Sequence, residues 1–296
     1  MEPIPRLIED SLSDPTFGVL YVAFTRPYLA MALASAATLR ASNPSIPYTI
    51  VTDIPLDETA IPWHSPNDQL IVSSLRPDEN RTVKTGAYAR SPYARSLLLD
   101  ADTLVLDDIS FIPFALQYFD VLARVIDSPA IGPRTAHQIL ESRWTMDRSA
   151  MCNGGVVAFR SSPGAESFFQ NWALHFQKVG SALDQPSLLE ALYTSEARFF
   201  PLPAGLNAGA RTPNPAIWHY KRRADRTVRR LVSQIGRATL ADHGPKPDEI
   251  AGAMRPKGGR KRLSLDYLRD RHRDWLKPSP ASPIKLELSR RGWISA

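Results

Sequence analysis

The chain reads as an α/β domain on a parallel sheet with flanking helices, and three features predict this. A strand, a helix and a second strand follow one another between residues 17 and 53, the β-α-β unit of a parallel sheet. The strand segments are short, continuous apolar runs, as buried strands require. Further strands alternate with helical stretches to about residue 220.

"FGVLYVAF" (17–24) is apolar, with β-branched and aromatic residues, and forms the first buried strand. Pro27 suits a helix's first turn, and "YLAMALASAATLRASN" continues that helix towards Asn43-Pro44. "PYTIVTD" (47–53) is the second strand, "QLIVSS" (69–74) the third and "ARSLLLD" (94–100) the fourth. "VLARVID" (121–127) and "GVVAFR" (155–160) follow as strands. A helix begins at Ser162-Pro163, where Phe168, Trp172 and Phe176 recur four apart on one face. "DQPSLLEALY" (184–193) is a shorter helix. The segment 222–240 reads as a basic amphipathic helix and 256–262 as a flexible loop. These elements divide the chain into an extension (1–16), an α/β domain (17–223) and a basic C-terminal extension (224–296).

Composition narrows the class. Of 296 residues, 43% are hydrophobic and 22% charged, as in soluble globular proteins, and no apolar run is long enough for a bilayer. The acids and prolines near the start do not resemble a signal peptide, and a single cysteine, Cys152, fits a reducing compartment. The expectation is a cytoplasmic protein. The net charge of +6 is uneven: residues 221–296 hold 14 Arg and 6 Lys against 6 Asp and 2 Glu, a net +12, which leaves −6 for residues 1–220. Glycine-rich phosphate loops, H-E-x-x-H and C-x-x-C are all absent from the sequence.

The chemistry concentrates in "LLLDADTLVLDD" (97–108), where acids interrupt a core strand. Asp100 and Asp102 lie at its carboxyl end, where open parallel sheets gather ligands. In extended backbone, residues two apart point to one side, so the two carboxylates repel unless a cation lies between them. A hard divalent ion with oxygen ligands, Mn²⁺ or Mg²⁺, answers that need. The alternative is a pair of surface aspartates in a turn, since D-x-D by itself is common. Asp107-Asp108 form a second acidic pair five positions on.

With its neighbours, this segment closely resembles the metal-binding stretch of glycosyltransferase family 8, the glycogenin-like nucleotide-sugar transferases. Other landmarks follow in the family's order over about residues 17–223: "VLYVAFTRPYLAMALASAATLR", "MCNGGVVAF", "DQPSLLEAL" and "NPAIWHY". Gly154 stands where the family has serine. After His219 the chain reads Lys221-Arg222-Arg223-Ala224, without the family's glycine and Pro-Trp. The resemblance implies a GT-A type domain with a mixed sheet. It also implies metal-dependent hexosyl transfer with retention of configuration from a nucleotide sugar, UDP-glucose or UDP-galactose.

It further implies roles by position. Asp100, Asp102 and His219 would hold the metal, though a histidine between Trp218 and Tyr220 could equally be a packed ring. Val22, Ala23 and Thr25 would meet the nucleoside through backbone, and Ala101 would line the donor site between the two acids. Tyr28 would stack on the base or serve the core; Asp53 would contact the nucleoside or cap a turn. Lys84, 16 residues before the D-x-D, would meet phosphate or lie solvated on the surface. Arg95 flanks the same strand, and Lys221 would replace the missing lid residues. Asn153, Gly155, Asp184 and Gln185 would hold the sugar. Cys152 is a buried small residue rather than a nucleophile.

The basic C-terminal region offers charge for an anionic membrane surface, a peripheral attachment, while its scattered aromatics argue against nucleic acid. The acceptor would be a glycan, lipid or protein. Two other readings share these residues: a catalytically silent nucleotide- or glycan-binding protein on the same fold, and a nucleotidyltransferase, which usually needs a glycine-rich basic loop.

Overall fold

A computed structural model of the chain describes residues 17–126, 151–179, 184–208, 214–220 and 226–240. Seven strands form the main sheet: β1 (Phe17–Val22), β2 (Tyr48–Thr52), β3 (Gln69–Val72), β4 (Arg95–Leu99), β6 (Val121–Ile126), β7 (Met151–Arg160) and β8 (Phe199–Pro201), in the order β3-β2-β1-β4-β7-β6-β8. β5 (Thr103–Val105) and β9 (Ile217–His219) pair as a small second sheet. The helices are α1 (Arg26–Ser42), α2 (Asn80–Thr85), α3 (Phe111–Ala115), α4 (Pro163–Val179), α5 (Gln185–Thr194) and α6 (Arg226–Thr239).

Six strands of the main sheet run one way and β7 runs against them. The result is a mixed, mostly parallel α/β sheet, as expected. Because β7 is reversed, its first residues lie beside the last residues of β4. There the pairing of β6 with β7 jumps from Ala123↔Val157 to Arg124↔Asn153, so residues 154–156 bulge out of that ladder.

Apolar runs are continuous here because the sheet is covered on both faces. Val19, Tyr21, Leu97 and Leu99 point to one core and Leu20 and Leu98 to the other. On the first face lies α1, whose residues Leu29 to Arg40 are all buried. Its alanines admit the sheet on one side, and β5 and α6 on the other. The second face holds α4 and α5, with Phe168, Trp172 and Leu188 as its large groups.

Three expectations change. The backbone through Asp100–Asp102 is not extended: β4 stops at Leu99, close to the expected end, Asp100–Asp102 turn, and β5 follows in the other sheet. The acids therefore converge through a turn and not through the pleat. The strand expected at 155–160 begins earlier, at Met151. The amphipathic helix assigned to the C-terminal extension packs Val228, Val232 and Ile235 into the same core as α1. Its apolar face is thus covered, which leaves it none to insert into a bilayer, and membrane docking gains no support. Among the described residues no helix is long and apolar enough to cross a membrane. Lys221 and the loop 256–262 lie outside the described residues.

Candidate active site

The Asp100–Asp102 turn is pinned from several sides. The Asp100 amide donates to the Gly155 carbonyl at 2.8 Å, and the Tyr220 amide to the Asp102 carbonyl at 3.2 Å. Thr103 Oγ1 donates to the Asp100 carbonyl at 2.8 Å and continues through Ser35 to the Tyr21 hydroxyl in steps of 3.1 Å. Those three hydroxyl residues are fully buried, so their mutual hydrogen bonds are needed to offset desolvation.

His219 approaches from the helix α1 side. It ends β9, whose pairing with β5 puts it opposite Thr103, one residue beyond Asp102. Its Nε2 lies 3.1 Å from Asp102 Oδ1 and 3.7 Å from Asp100 Oδ2. One ligand atom from each of the three residues falls within 4.8 Å of the others. Burial works to raise the Asp102 carboxyl, but the His219 ring, aided by the Lys84 ammonium, outweighs it and holds the group below the usual carboxylate range. Two carboxylate oxygens and an imidazole nitrogen are a donor set that suits Mn²⁺ or Mg²⁺. Gly155 makes the arrangement possible. A Cβ there would lie 2.0 Å from His219 Cε1 and 2.9 Å from Asp100 Oδ2, inside atoms already present.

Lys84 approaches from the opposite face. Its ammonium lies 2.7 Å from Asp100 Oδ1 and 2.6 Å from Asp184 Oδ2, and 6.0 Å from the centre of the Trp172 ring. Desolvation favours a neutral amine, yet the two carboxylates overcome it and raise the Lys84 pKa well above its ordinary value. Asp184 sits at the N-cap of α5. Burial opposes its ionisation too, and Lys84, joined by Arg81, keeps it ionised. Its carbonyl accepts from Trp172 Nε1 at 3.1 Å and Ser187 Oγ at 2.9 Å, which fixes the start of the helix. Gln185 donates to the Cys152 carbonyl at 3.4 Å. Gly154 faces this side, where a Cβ would meet Asp184 Oδ2 at 3.5 Å and Lys84 Nζ at 3.7 Å.

Asp100, Asp102, His219, Lys84, Asp184, Gln185, Asn153 and Gly155 thus meet around the carboxyl end of β4, in the middle of the sheet. Ala101 is buried between the two acids. Val22 ends the neighbouring β1 at the same end of the sheet and Ala23 follows it, the Ala23 amide bonded to the Val51 carbonyl at 2.9 Å. Thr25 adopts φ 69°, a left-handed conformation that strains a β-branched residue, and its amide donates to Asp53 Oδ1 at 2.7 Å. Asp53 therefore caps the turn, the alternative given for it from sequence. Tyr28 is half-buried and packs against the core.

Arg95 is not brought to the site. It opens β4, five residues before Asp100 and at the other end of the strand, and donates to the Pro113 carbonyl at 3.2 Å. Asp107 and Asp108 also stand apart. They cap the turn into α3, with Asp108 accepting from the Ser110 amide and hydroxyl at 3.0 and 2.6 Å.

One participant carried no sequence signal. Asn207, buried, lies 3.2 Å from His219 Nδ1 through its Oδ1, and its Nδ2 donates to Asn153 Oδ1 at 3.1 Å. It occurs in "GLNAG", where nothing in residue type or spacing marks it.

The fold defines the class as GT-A type. The bifunctional glycosyltransferase WbbM aligns over 85% of this chain and 52% of its own, at 14% identity and a TM-score of 0.50. The glycosyltransferase GlyE of Streptococcus pneumoniae TIGR4 aligns over 80% of this chain and 62% of its own, at 16% identity and a TM-score of 0.50. The galactosyltransferase LgtC, solved with donor and acceptor sugar analogs, aligns over 81% and 97% at 14% identity and a TM-score of 0.49. This chain spans about half of WbbM and under two thirds of GlyE. No protein-family profile and no curated protein matches the sequence.

Proposed function

We propose that the chain is a glycosyltransferase that moves a hexose from a nucleotide sugar, UDP-glucose or UDP-galactose, to a hydroxyl of a glycan, lipid or protein, with retention of configuration. The observation that supports this most is the meeting of Asp100, Asp102 and His219 with the Lys84–Asp184 pair at the carboxyl end of β4.

Asp100, Asp102 and His219 would hold Mn²⁺ or Mg²⁺. The bound ion supplies Lewis-acid stabilisation for the charge that grows on a departing diphosphate. The remaining work falls to the chain. Val22, Ala23 and Thr25 offer backbone at the end of β1 for the nucleoside, with Asp53 holding Thr25 in place and Tyr28 beside it. Asn153, Asp184 and Gln185 orient the sugar hydroxyls. Lys84 keeps Asp184 ionised and so an acceptor of hydrogen bonds, and its positive charge favours a diphosphate nearby. In the transfer the bond from the anomeric carbon to the diphosphate oxygen breaks, and its electron pair stays on that oxygen. The acceptor hydroxyl oxygen bonds the anomeric carbon on the same face, and its proton passes to the departing oxygen. Cys152 takes no part: burial pushes its thiol up to about 12.

The test is donor hydrolysis and transfer with Mn²⁺ present, alongside UDP calorimetry. Wild type should turn over UDP-hexose and lose UDP affinity on chelation, whereas Asp100→Asn or Asp102→Asn should lose both turnover and UDP affinity even with Mn²⁺ present. Binding without turnover points to the catalytically silent nucleotide- or glycan-binding reading. UDP affinity indifferent to chelation and to both substitutions removes the metal-dependent one.

A further inference from the structure

We infer that Asn207 is a positioning residue that dictates which nitrogen of His219 faces the two aspartates, and that it ties this choice to the orientation of Asn153. The inference rests on the metal reading above and deepens it.

One donor in this cluster has a fixed identity. The backbone amide of Gly155 donates to Asn153 Oδ1 at 2.9 Å, so the oxygen of that side chain is located. A donor must face it from Asn207, which makes the atom 3.1 Å away Nδ2. The remaining atom of the Asn207 carboxamide is then an oxygen, and it lies 3.2 Å from His219 Nδ1. An oxygen without a proton requires a proton on that nitrogen. His219 Nε2 is thereby left as the atom directed at Asp102 and Asp100, the only ring nitrogen able to ligate an ion there.

Asn207 is itself held. Arg124 Nη1 donates to its carbonyl. The next residue, Ala208, exchanges backbone hydrogen bonds with β9, donating to the Ile217 carbonyl and accepting from the His219 amide, both at 2.9 Å. All three side chains in the relay are buried, at 5%, 3% and 5% exposure for Asn153, Asn207 and His219, so water does not compete for these hydrogen bonds. Both halves of one carboxamide are thus engaged, one on the metal-ligating side and one on the sugar-facing side. The two are coupled by a group that touches neither ligand.

Two substitutions separate the halves. Asn207→Ala removes both. Asn207→Asp keeps an oxygen for the Nδ1 proton but sets a second oxygen against Asn153 Oδ1. Full-length chain is titrated with Mn²⁺ alone by calorimetry, and KM and kcat for UDP-hexose are then measured at saturating Mn²⁺. Asn207→Ala should weaken Mn²⁺ by about 10- to 100-fold, the usual effect of removing an outer partner of a ligating histidine. Asn207→Asp should bind Mn²⁺ within about threefold of wild type, yet raise KM for the donor about tenfold, in the range expected for such outer partners. A merely structural asparagine would lower Tm and damage both properties in parallel in both variants, and that result overturns the inference. So does Asn207→Ala binding Mn²⁺ as tightly as wild type. If Asn207→Ala fails to fold, Asn207→Asp decides alone: loss of Mn²⁺ binding in that variant overturns the inference, and the split between Mn²⁺ and donor upholds it. A wild-type chain that binds no Mn²⁺ removes the metal reading itself and this inference with it. That failure is distinct from one confined to the variants.

Discussion

Gly155 and His219 occupy a space that admits only one side chain: a Cβ on the glycine would lie 2.4 Å from the ring's Nδ1 and closer still to Cε1. The imidazole is held between Asn207 Oδ1 at Nδ1 and Asp102 Oδ1 at Nε2 and cannot move aside without leaving one of them. The neighbouring glycine behaves otherwise, because the two residues face opposite sides of β7.

Gly155→Ala should therefore lower kcat/KM by at least about 100-fold, given how steeply rate depends on placement of such groups. Gly154→Ala should fold normally and gain about 0.4–1 kcal/mol, since its new contacts are at ordinary distances and alanine restricts the unfolded chain. Thermal melts and steady-state kinetics of the pair check this. Equal damage in both variants would refute the asymmetry.

Lys84 neutralises two carboxylates that would otherwise repel. Lys84→Met should cost about 2–3 kcal/mol, below the figure for a fully buried pair because Asp100 is 30% exposed. The same substitution removes a positive charge beside the three proposed ligands, so Mn²⁺ should bind about tenfold more tightly. Urea unfolding and Mn²⁺ calorimetry measure the two effects, which have opposite signs. A variant that is both stable and weaker for Mn²⁺ would contradict the account.

Acid stability should depend on Asp120, at the other end of the sheet. Burial would raise its pKa, but Arg198, Arg160 and Ser162 bond to it and hold it far below the usual carboxylate range. With a folded pKa below the unfolded value of about 3.9, the unfolded chain binds more protons between them. This stability is therefore complete above about pH 5 and is lost as pH falls through 4 towards the folded pKa. Asp120→Asn should be less stable at pH 7 by about 2 kcal/mol, and its deficit should shrink steadily between pH 5 and pH 2. Chemical denaturation across that range tests it; a deficit independent of pH would exclude the ion pairs as its source.

The Cys152 thiol, buried and raised to about 12, should be protonated and inaccessible at pH 8. Its labelling by a disulfide reagent should follow the rate of opening and rise sharply in urea. Rapid labelling of the native chain would show that β7 is more open at Cys152 than this packing allows.

Much of this was legible in the sequence for local reasons. The first β-α-β unit was readable because a short apolar run such as "FGVLYV", with β-branched and aromatic residues, suits a strand covered on both faces, and an alanine-rich segment behind Pro27 favours a helix. Asp100 and Asp102 stood out because charge is costly where a core strand ends. Arg95 misled because closeness in sequence was taken as closeness in space: five residues of strand span roughly 16 Å. Lys84 was recognised by its distance from the acids, but its partner Asp184 lies 100 residues further on.

By itself the sequence determined which stretches must be buried, where β4 must stop, and which acids are left at its tip. Only the tertiary structure decided what those acids meet. The pairing of β5 with β9 brings His219 to Asp102 across 117 positions, the reversal of β7 sets Asn153 and Gly155 beside the end of β4, and no local propensity encodes contacts at such separations. Side-chain chemistry is a property of residues, whereas convergence is a property of strand order, which the packed core as a whole selects.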